Sequence, residues 1–353
     1  MDIVDKLILC IIDRGEPHVA TTAASELGVS RQTVAARLKR MAGEHVIKAE
    51  GVGRGRRYAL LPLLAVRKVH DLAGLDEHRL WMAEVAPLVS DLQPNVVDIW
   101  RYGVTEMVNN AIDHSEGRQV SVLIERNALR TTVRVSDDGE GIFHRIQRLM
   151  GLYDPRESIL ELAKGKLTTD PARHSGEGVF FSSRMFDRFS IMSCNLLFSH
   201  EAASDDWLIE GEGEGEGEGE GEGEGEGEGE GEGEVSGTTV SMTLANDSAR
   251  TTKGVFDAFA APEEYTFAKT IVPVRLAQHE GEKLVSRSQA KRLTMRFERF
   301  QTVVLDFAGV EEIGQAFADE VFRVFQASHP GLEMLPIHLS EGVRNMIARA
   351  QAA

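Results

Sequence analysis

Apolar residues at the start of the chain recur at helical spacing, with Val4, Leu7, Ile8, Ile11 and Ile12 on one face. A second short helix is predicted over about Thr22 to Leu27, closed by Gly28, which suits a left-handed C-cap. Ser30 is placed to cap a third helix from Arg31, whose buried stripe would be Val34, Leu38 and Met41. Two strand-like runs follow, Val46-Ile47-Lys48-Ala49 and Arg57-Tyr58-Ala59-Leu60, around the glycine- and arginine-rich stretch from Gly51 to Arg56. From about Leu72 to Leu92 the pattern is helical again, with Pro94 as a breaker. Val104 to His114 reads as a helix, and Val120 to Glu125 and Thr131 to Ser136 as two strands. Phe189 to Ser193 and Thr238 to Leu244 read as later strands of the same sheet. A small α/β pattern begins near Glu264: Val303 to Phe307 is an apolar strand, Phe317, Val321 and Val324 mark a helix, and Val343, Met346, Ile347 and Ala350 a last one.

These breaks and the length of 353 residues predict three domains, at 1–69, 70–250 and 264–353. The formal charge of −17 is dominated by one segment. Glu210 to Glu234 is an unbroken Glu-Gly alternation that holds 13 of the 56 acidic residues; outside it 43 acids face 39 bases. With no apolar group and a charge at every second residue, such a segment cannot offset the entropy of ordering, so a solvated, self-repelling loop inside a strand connection is expected. The first 69 residues run the other way, with 12 bases against 7 acids, which suggests a polyanion-binding end. Cys10 and Cys194 are the only cysteines, too few for a disulfide framework or a cysteine-based zinc site. No apolar run approaches the roughly 20 residues of a membrane span, and the N-terminus lacks a signal-peptide layout. A reducing cytoplasm without membrane attachment is the expected setting.

Three helices followed by a basic hairpin resemble a winged helix-turn-helix. In that layout Arg31, Gln32 and Thr33 open the third helix, where recognition helices present side chains to base edges. Arg37, Lys39 and Arg40 would meet phosphates, and Arg54, Arg56 and Arg57 on the wing would reach a groove or the backbone. DNA is therefore an expected partner, and a homodimer an expected assembly, since such proteins often read paired half-sites. Winged helices also serve as protein-interaction modules; the three clustered wing arginines favour DNA.

Three segments of the middle region carry chemistry. In Thr105-Glu106-Met107-Val108-Asn109-Asn110-Ala111-Ile112-Asp113-His114-Ser115, helical spacing puts Glu106, Asn110, Asp113 and His114 on one face. Four polar groups on one stripe suit a polar pocket better than a core. An Asn oxygen is a hard ligand that Mg²⁺ accepts beside phosphates and water, and a carboxylate one turn earlier can take a proton from a nucleophile. Ser136-Asp137-Asp138-Gly139-Glu140-Gly141-Ile142 follows a strand, so its carboxylate can accept a hydrogen bond from an exocyclic amine while the glycines admit close backbone approach. In His174-Ser175-Gly176-Glu177-Gly178-Val179-Phe180-Phe181, two glycines precede a helical stretch whose free N–H groups would face an anion.

Singly such turns occur by chance, but the three in this order, separated by strand-like runs, resemble the GHKL superfamily of gyrase, histidine kinases and anti-sigma-factor serine kinases. The resemblance covers roughly Asp71 to Arg250. It implies a Bergerat α/β sandwich, a mixed sheet with helices on one face, and ATP with Mg²⁺ as its ligands. By this resemblance Asn110 binds magnesium and Glu106 is the general base. Asp137 contacts adenine, with Gly139 and Gly141 as its glycines and Asp113 part of the ATP-binding stripe; Gly176 and Gly178 form the glycine box, and Gly237-Thr238 closes the adenine site. Leu152 to Arg173, with Lys164, Lys166, Thr168 and Thr169, would be the mobile lid, with Lys164 or Lys166 either meeting phosphates or, as is commoner for an exposed loop lysine, simply solvated. No phosphoacceptor-histidine hairpin precedes the region. His70 and His78 are expected on a linking helix as surface residues, and His114 as an orienting group. A P-loop is excluded, because no Gly-x-x-x-x-Gly-Lys-Ser/Thr exists.

The run Asp306 to Glu320 resembles the STAS-like family. Where antagonists of that fold carry an Asp-Ser phosphoacceptor, this chain has Gly314-Gln315, so a phosphorylation switch is not expected there. Ser286 and Ser288 are the alternative acceptors there, with a helix cap as the expected role. Together these readings imply a multidomain α/β regulator that binds DNA and is switched by ATP·Mg²⁺ binding and slow hydrolysis, with a regulatory protein contact through the STAS-like part. The alternative is a protein serine/threonine kinase acting on a partner.

Overall fold

The first three helices form as their apolar stripes require. In the computed structural model, α1 (Ile3–Asp13) is capped by Asp2, α2 (Val19–Leu27) ends at Gly28 with φ of 63°, and α3 (Arg31–Gly43) is capped by Ser30, whose hydroxyl accepts from the Thr33 N–H. Ile8, Ile11, Val19, Ala23, Val34 and Leu38 enclose one core, completed by an antiparallel hairpin of β1 (Ile47–Glu50) and β2 (Arg57–Leu60). The structure describes residues 2–51, 53, 56–167, 176–201, 207–210 (backbone), 237–261, 266–278 and 282–352. Arg54, Thr168, Thr169, His174, Ser175 and the Glu-Gly run from residue 211 onward lie outside the described residues.

The next strand shifts the expected boundary. Residues 64–69, assigned to the first domain, belong to β3 (Leu64–Asp71), which pairs along its length with β4 (Gln119–Arg126). His70 thus stands in a strand and not on a linking helix. The charged pair Arg67-Lys68 hides the alternation of this edge strand, and charges are common on exposed edges. The helix expected from Leu72 starts only after Asp76, whose side chain accepts from the Arg79 N–H. It runs as α4 (Glu77–Leu80), a wide π turn (Trp81–Val85) and α5 (Ala86–Val89). Pro94 does not break a helix but opens one: α6 (Pro94–His114) begins with it, where a missing N–H costs nothing.

Among the described residues, seven strands form the large sheet in the order β3-β4-β5-β9-β6-β7-β8. The later ones are β5 (Arg130–Asp137), β6 (Arg188–Ser193), β7 (Leu196–Glu201), β8 (Trp207–Glu210) and β9 (Thr238–Ala245). Every pairing is antiparallel, so the sheet is not mixed as expected. The reason is β9. β5 and β6 run the same way, as their helical connection requires, but β9 enters between them and replaces one parallel contact by two antiparallel ones. Along the strands buried Val120, Val122, Val133, Val135, Ile191, Val240 and Met242 alternate with more exposed positions, so one face takes the helices. On that face lie α6, α7 (Ile142–Met150), α8 (Glu157–Lys164), α9 (Gly178–Met185) and α10 (Thr252–Phe259).

The last part is a parallel three-stranded sheet of β10 (Lys269–Pro273), β11 (Thr302–Asp306) and β12 (Glu333–Ile337). Around it lie α11 (Arg287–Thr294), α12 (Gln315–Asp319) running through a π turn into α13 (Gln326–Ser328), and α14 (Glu341–Ala352). Ser286 caps α11 in a reciprocal box with Gln289. The N-terminal unit rests on the β4–β5 turn, where Arg130 pairs with Asp13 (2.5 Å) and Ala128 and Leu129 pack against its core.

The expected mobile lid contains a buried helix. Ser158 to Lys164 of α8 are all enclosed, and Lys164 is fully buried rather than aimed at phosphates. Burial pushes its ammonium down to about 8, against the pull of Glu161. Between that value and the usual 10.5 the folded chain has released a proton that the unfolded chain still holds, so raising the pH across this window stabilises the fold. Lys164→Met is expected to flatten that rise in a pH series of urea unfolding. Equal slopes in parent and variant would show that this ammonium is not desolvated.

Candidate functional site

Where α6, α7 and α8 meet the covered face of the sheet there is a cavity of about 320 Å³. Its floor is apolar, made by Val135 of β5, Ile191 of β6 and Val240 of β9. Ile142, Ile146 and Leu149 of α7, together with Leu162 and Leu167, form one side. Polar residues and glycines also line it: Glu106, Asn109, Asn110 and His114 from α6, Asp137 from the end of β5, Thr238 from the start of β9, Gly176 ahead of α9 and Gly178 at its start.

Asp137 is held in place by backbone donors. Its Oδ1 accepts from the N–H groups of Gly139 (3.0 Å) and Thr238 (3.2 Å), while neither reaches Oδ2. Burial pushes the Asp137 carboxyl above the ordinary carboxylate range, and these two N–H groups oppose the shift. The Thr238 hydroxyl in turn accepts from the Ile142 N–H (2.9 Å), tying the start of α7 to β9. Asp138 serves a structural purpose, its Oδ1 accepting from the N–H groups of Arg118 (2.7 Å) and Gln119 (2.9 Å).

Glu106 lies beside the N-terminus of α9. A β-carbon at Gly178 would stand 2.0 Å from Glu106 Oε2, so only glycine permits this approach. One turn before Glu106, burial pushes the Tyr102 phenol up, and the charges of Glu106 and Glu177 add to the shift. Gly141, at φ of 86°, supplies the left-handed turn into α7; a side chain there would also strike Ser193 Oγ.

Three expectations for this site change. Asp113 is exposed and stands outside the cavity, because the lined arc of α6 is centred on Asn110 and His114 and turns Asp113 toward solvent. Gly139 and Gly141 do not line the cavity; they shape the turn that positions Asp137. Arg145, which went unnoticed, does line it, and its guanidinium reaches Glu116 and Glu140, each at 2.7 Å. Asn109 also went unnoticed. The available signal for α7 was Ile142, Ile146 and Leu149, an apolar stripe at helical spacing.

The positions expected to meet DNA have mixed fates. Arg31 and Gln32 are exposed at the start of α3, and Arg56 and Arg57 are exposed at the second hairpin strand. The Thr33 hydroxyl lies 2.8 Å from that of Ser30, within the helix cap. Arg37 is bound inside the unit by Asp2 and by Asp5 (2.8 Å), and its hydrogen bond holds the Asp2 carboxyl below the usual range. Arg40 likewise pairs with Asp5 (2.6 Å) and Glu44 (2.9 Å). These two guanidinium groups brace α3 against α1.

Among the described residues no cluster of three or more His, Cys, Asp or Glu side chains could hold a metal ion. A cation near Asn110 would need most of its oxygen ligands from water and from a bound molecule, a habit of Mg²⁺. No described helix is long and apolar enough to cross a membrane. A family model described as STAS-like domain of unknown function (DUF4325) matches residues 289–344, from α11 into α14. The C-terminal part of the chain is thus a STAS-like domain. No curated protein matches the chain.

Proposed function

We propose that the protein is a cytoplasmic ATP-binding regulator in which a GHKL-type pocket of the Bergerat kind is joined to a winged helix-turn-helix and a STAS-like domain. One observation carries the reading: Glu106, Asn110, Asp137, Gly178 and Thr238, far apart in sequence, line a single cavity. The residues present fit ATP with Mg²⁺. The apolar floor suits a flat purine, and Asp137 supplies an acceptor for an exocyclic amine. The free N–H groups at the start of α9 suit phosphate oxygens, and the Asn110 oxygen suits Mg²⁺. Bound ATP·Mg²⁺ would supply a γ-phosphoryl group for transfer to water or to a hydroxyl. Asp137 and Thr238 orient the base, Asn110 and the α9 N-terminus orient the phosphate end, and Glu106 takes the proton from the attacking oxygen. Cys10 and Cys194 are free thiols, which fits a reducing compartment.

An equilibrium titration with ATP, with and without Mg²⁺, tests the pocket; saturable binding that Mg²⁺ strengthens is expected, and no binding would overturn the reading. Labelled γ-phosphate then separates the two chemistries. Release as free phosphate identifies a hydrolytic switch, whereas label on a partner identifies a protein serine/threonine kinase.

The exposed Arg31 and Gln32 at the start of α3, and the exposed Arg56 and Arg57 at the hairpin of the same small unit, support duplex DNA as the partner of the N-terminal unit. Binding of the full chain to duplex DNA is expected to weaken steeply as salt rises, because phosphate neutralisation releases counterions. An affinity unchanged between low and high salt would remove DNA from the proposal.

A further inference from the structure

Two elements that wall the cavity are anchored in the C-terminal, STAS-like part of the chain as well as in the central sheet. α8 carries Leu162 and leads directly to Leu167, both facing the cavity. The Leu167 N–H donates to the Gly176 carbonyl (3.0 Å), so this stretch also sets where the glycine turn begins. The other side of α8 is sealed by an ionic network. Glu161, Lys164 and Arg296 are 1%, 0% and 7% exposed. Lys164 Nζ donates to Glu161 Oε1 (2.5 Å) and to the carbonyls of Arg292 (3.1 Å) and Met295 (3.0 Å). Arg296 donates to Glu161 Oε2 (2.8 Å) and to the carbonyls of Glu161 (3.2 Å) and Gly165 (2.6 Å). Arg292 adds an ion pair with Glu157 (2.7 Å). Behind α9, Phe180 and Phe181 pack on Phe267 with ring centroids 4.6 and 4.9 Å away.

Arg296 is the centre of this arrangement. It follows α11 at φ of 68°, an unfavourable conformation for a side-chain-bearing residue, held here by the contacts just given. Its guanidinium satisfies carbonyls of the last turn of α8 from another domain, where a cation also complements the helix dipole. Removing one partner from charges buried this deeply is strongly destabilising, so the contact between α8 and the STAS-like domain depends on this network.

We propose that the STAS-like domain is an intramolecular clamp on the cavity: Arg296 fixes the C-terminal end of α8, and with it Leu162, Leu167 and the Gly176 turn, so that filling the cavity and docking this domain reinforce one another. The clamp stands on the geometry alone, while its nucleotide form rests on the reading proposed above. Coupling of this kind is reciprocal: a ligand that tightens the wall tightens the domain contact by the same factor.

Hydrogen exchange on the full chain tests this. Arg296→Met is expected to speed amide exchange in residues 157–167 by about tenfold or more, leave β3 to β5 unchanged, and weaken ATP·Mg²⁺ binding by roughly five- to 150-fold. In the parent, ATP·Mg²⁺ should slow exchange across residues 287–300. Unchanged exchange at 157–167 in the variant would overturn the clamp. If ATP binds neither protein while Arg296→Met still loosens 157–167, the clamp stands and the nucleotide reading falls. Should Arg296→Met fail to fold, Arg292→Met, which removes the Glu157 pair, should loosen the same segment to a lesser degree, and no loosening there would equally overturn the clamp.

Discussion

Glu106→Gln is expected to leave ATP·Mg²⁺ affinity nearly unchanged while lowering phosphate release by about 10²- to 10⁴-fold, the usual contribution of a positioned general base. The substitution preserves shape, so the close contact with Gly178 survives, whereas a β-carbon at Gly178 would collide with Glu106 Oε2. What is lost is the proton acceptor. Glu106 sits where a carboxylate is useful as a base: it lines the cavity and stands against Gly178 at the N-terminal end of α9, where phosphate oxygens would be held. Equilibrium binding and single-turnover phosphate release on the same preparation separate the two effects. Turnover equal to that of the parent would mean that another group activates the nucleophile. A parallel loss of binding would mean that Glu106 holds the nucleotide rather than the attacking oxygen.

Much of the architecture is legible in the sequence wherever one side chain pattern decides the outcome. Ser30 before Arg31 and Gly28 after Leu27 mark helix ends because each satisfies backbone groups locally. The alternation of Val120, Val122 and Ile124 marks β4 because one face must be covered. What sequence does not reveal depends on partners distant along the chain. β3 looks like a charged tail because its strand neighbour among the described residues, β4, comes about fifty residues later. The antiparallel character of the sheet depends on where β9 inserts, a choice that no local pattern encodes. Lys164 resembles a solvated loop lysine until Arg292 and Met295 supply carbonyls from another domain. The candidate site divides in the same way. Glu106, Asn110, Asp137 and Gly178 are noticed because polar or glycine residues interrupt apolar periodicity. The apolar floor of Val135, Ile191 and Val240 is invisible because those residues read as ordinary strand interior.

Asp137→Asn is expected to weaken ATP binding by roughly 10- to 100-fold, which corresponds to losing a hydrogen bond to a charged acceptor in a partly dry site. The fold should survive, since an Asn oxygen can still accept from the N–H groups of Gly139 and Thr238. The pH dependence gives a sharper test. The carboxyl must be ionised to accept from the exocyclic amine of adenine without a competing proton, and burial raises its folded pKa. Affinity in the parent should therefore fall as the pH drops through that raised value, beginning at a higher pH than for an ordinary aspartate, and the Asn variant should lack this fall. Base selectivity should change as well. Guanine presents a carbonyl oxygen where adenine presents its amine, so the carboxylate repels it, whereas an Asn whose oxygen stays on those two N–H groups presents its NH2 and donates. The ratio of ATP to GTP affinity should collapse in the variant. Competition titrations with both nucleotides across a pH series measure all three effects. If the variant retains both the selectivity and the acid-side loss, the adenine ring does not contact Asp137, and the orientation of the ligand in the cavity must be reversed.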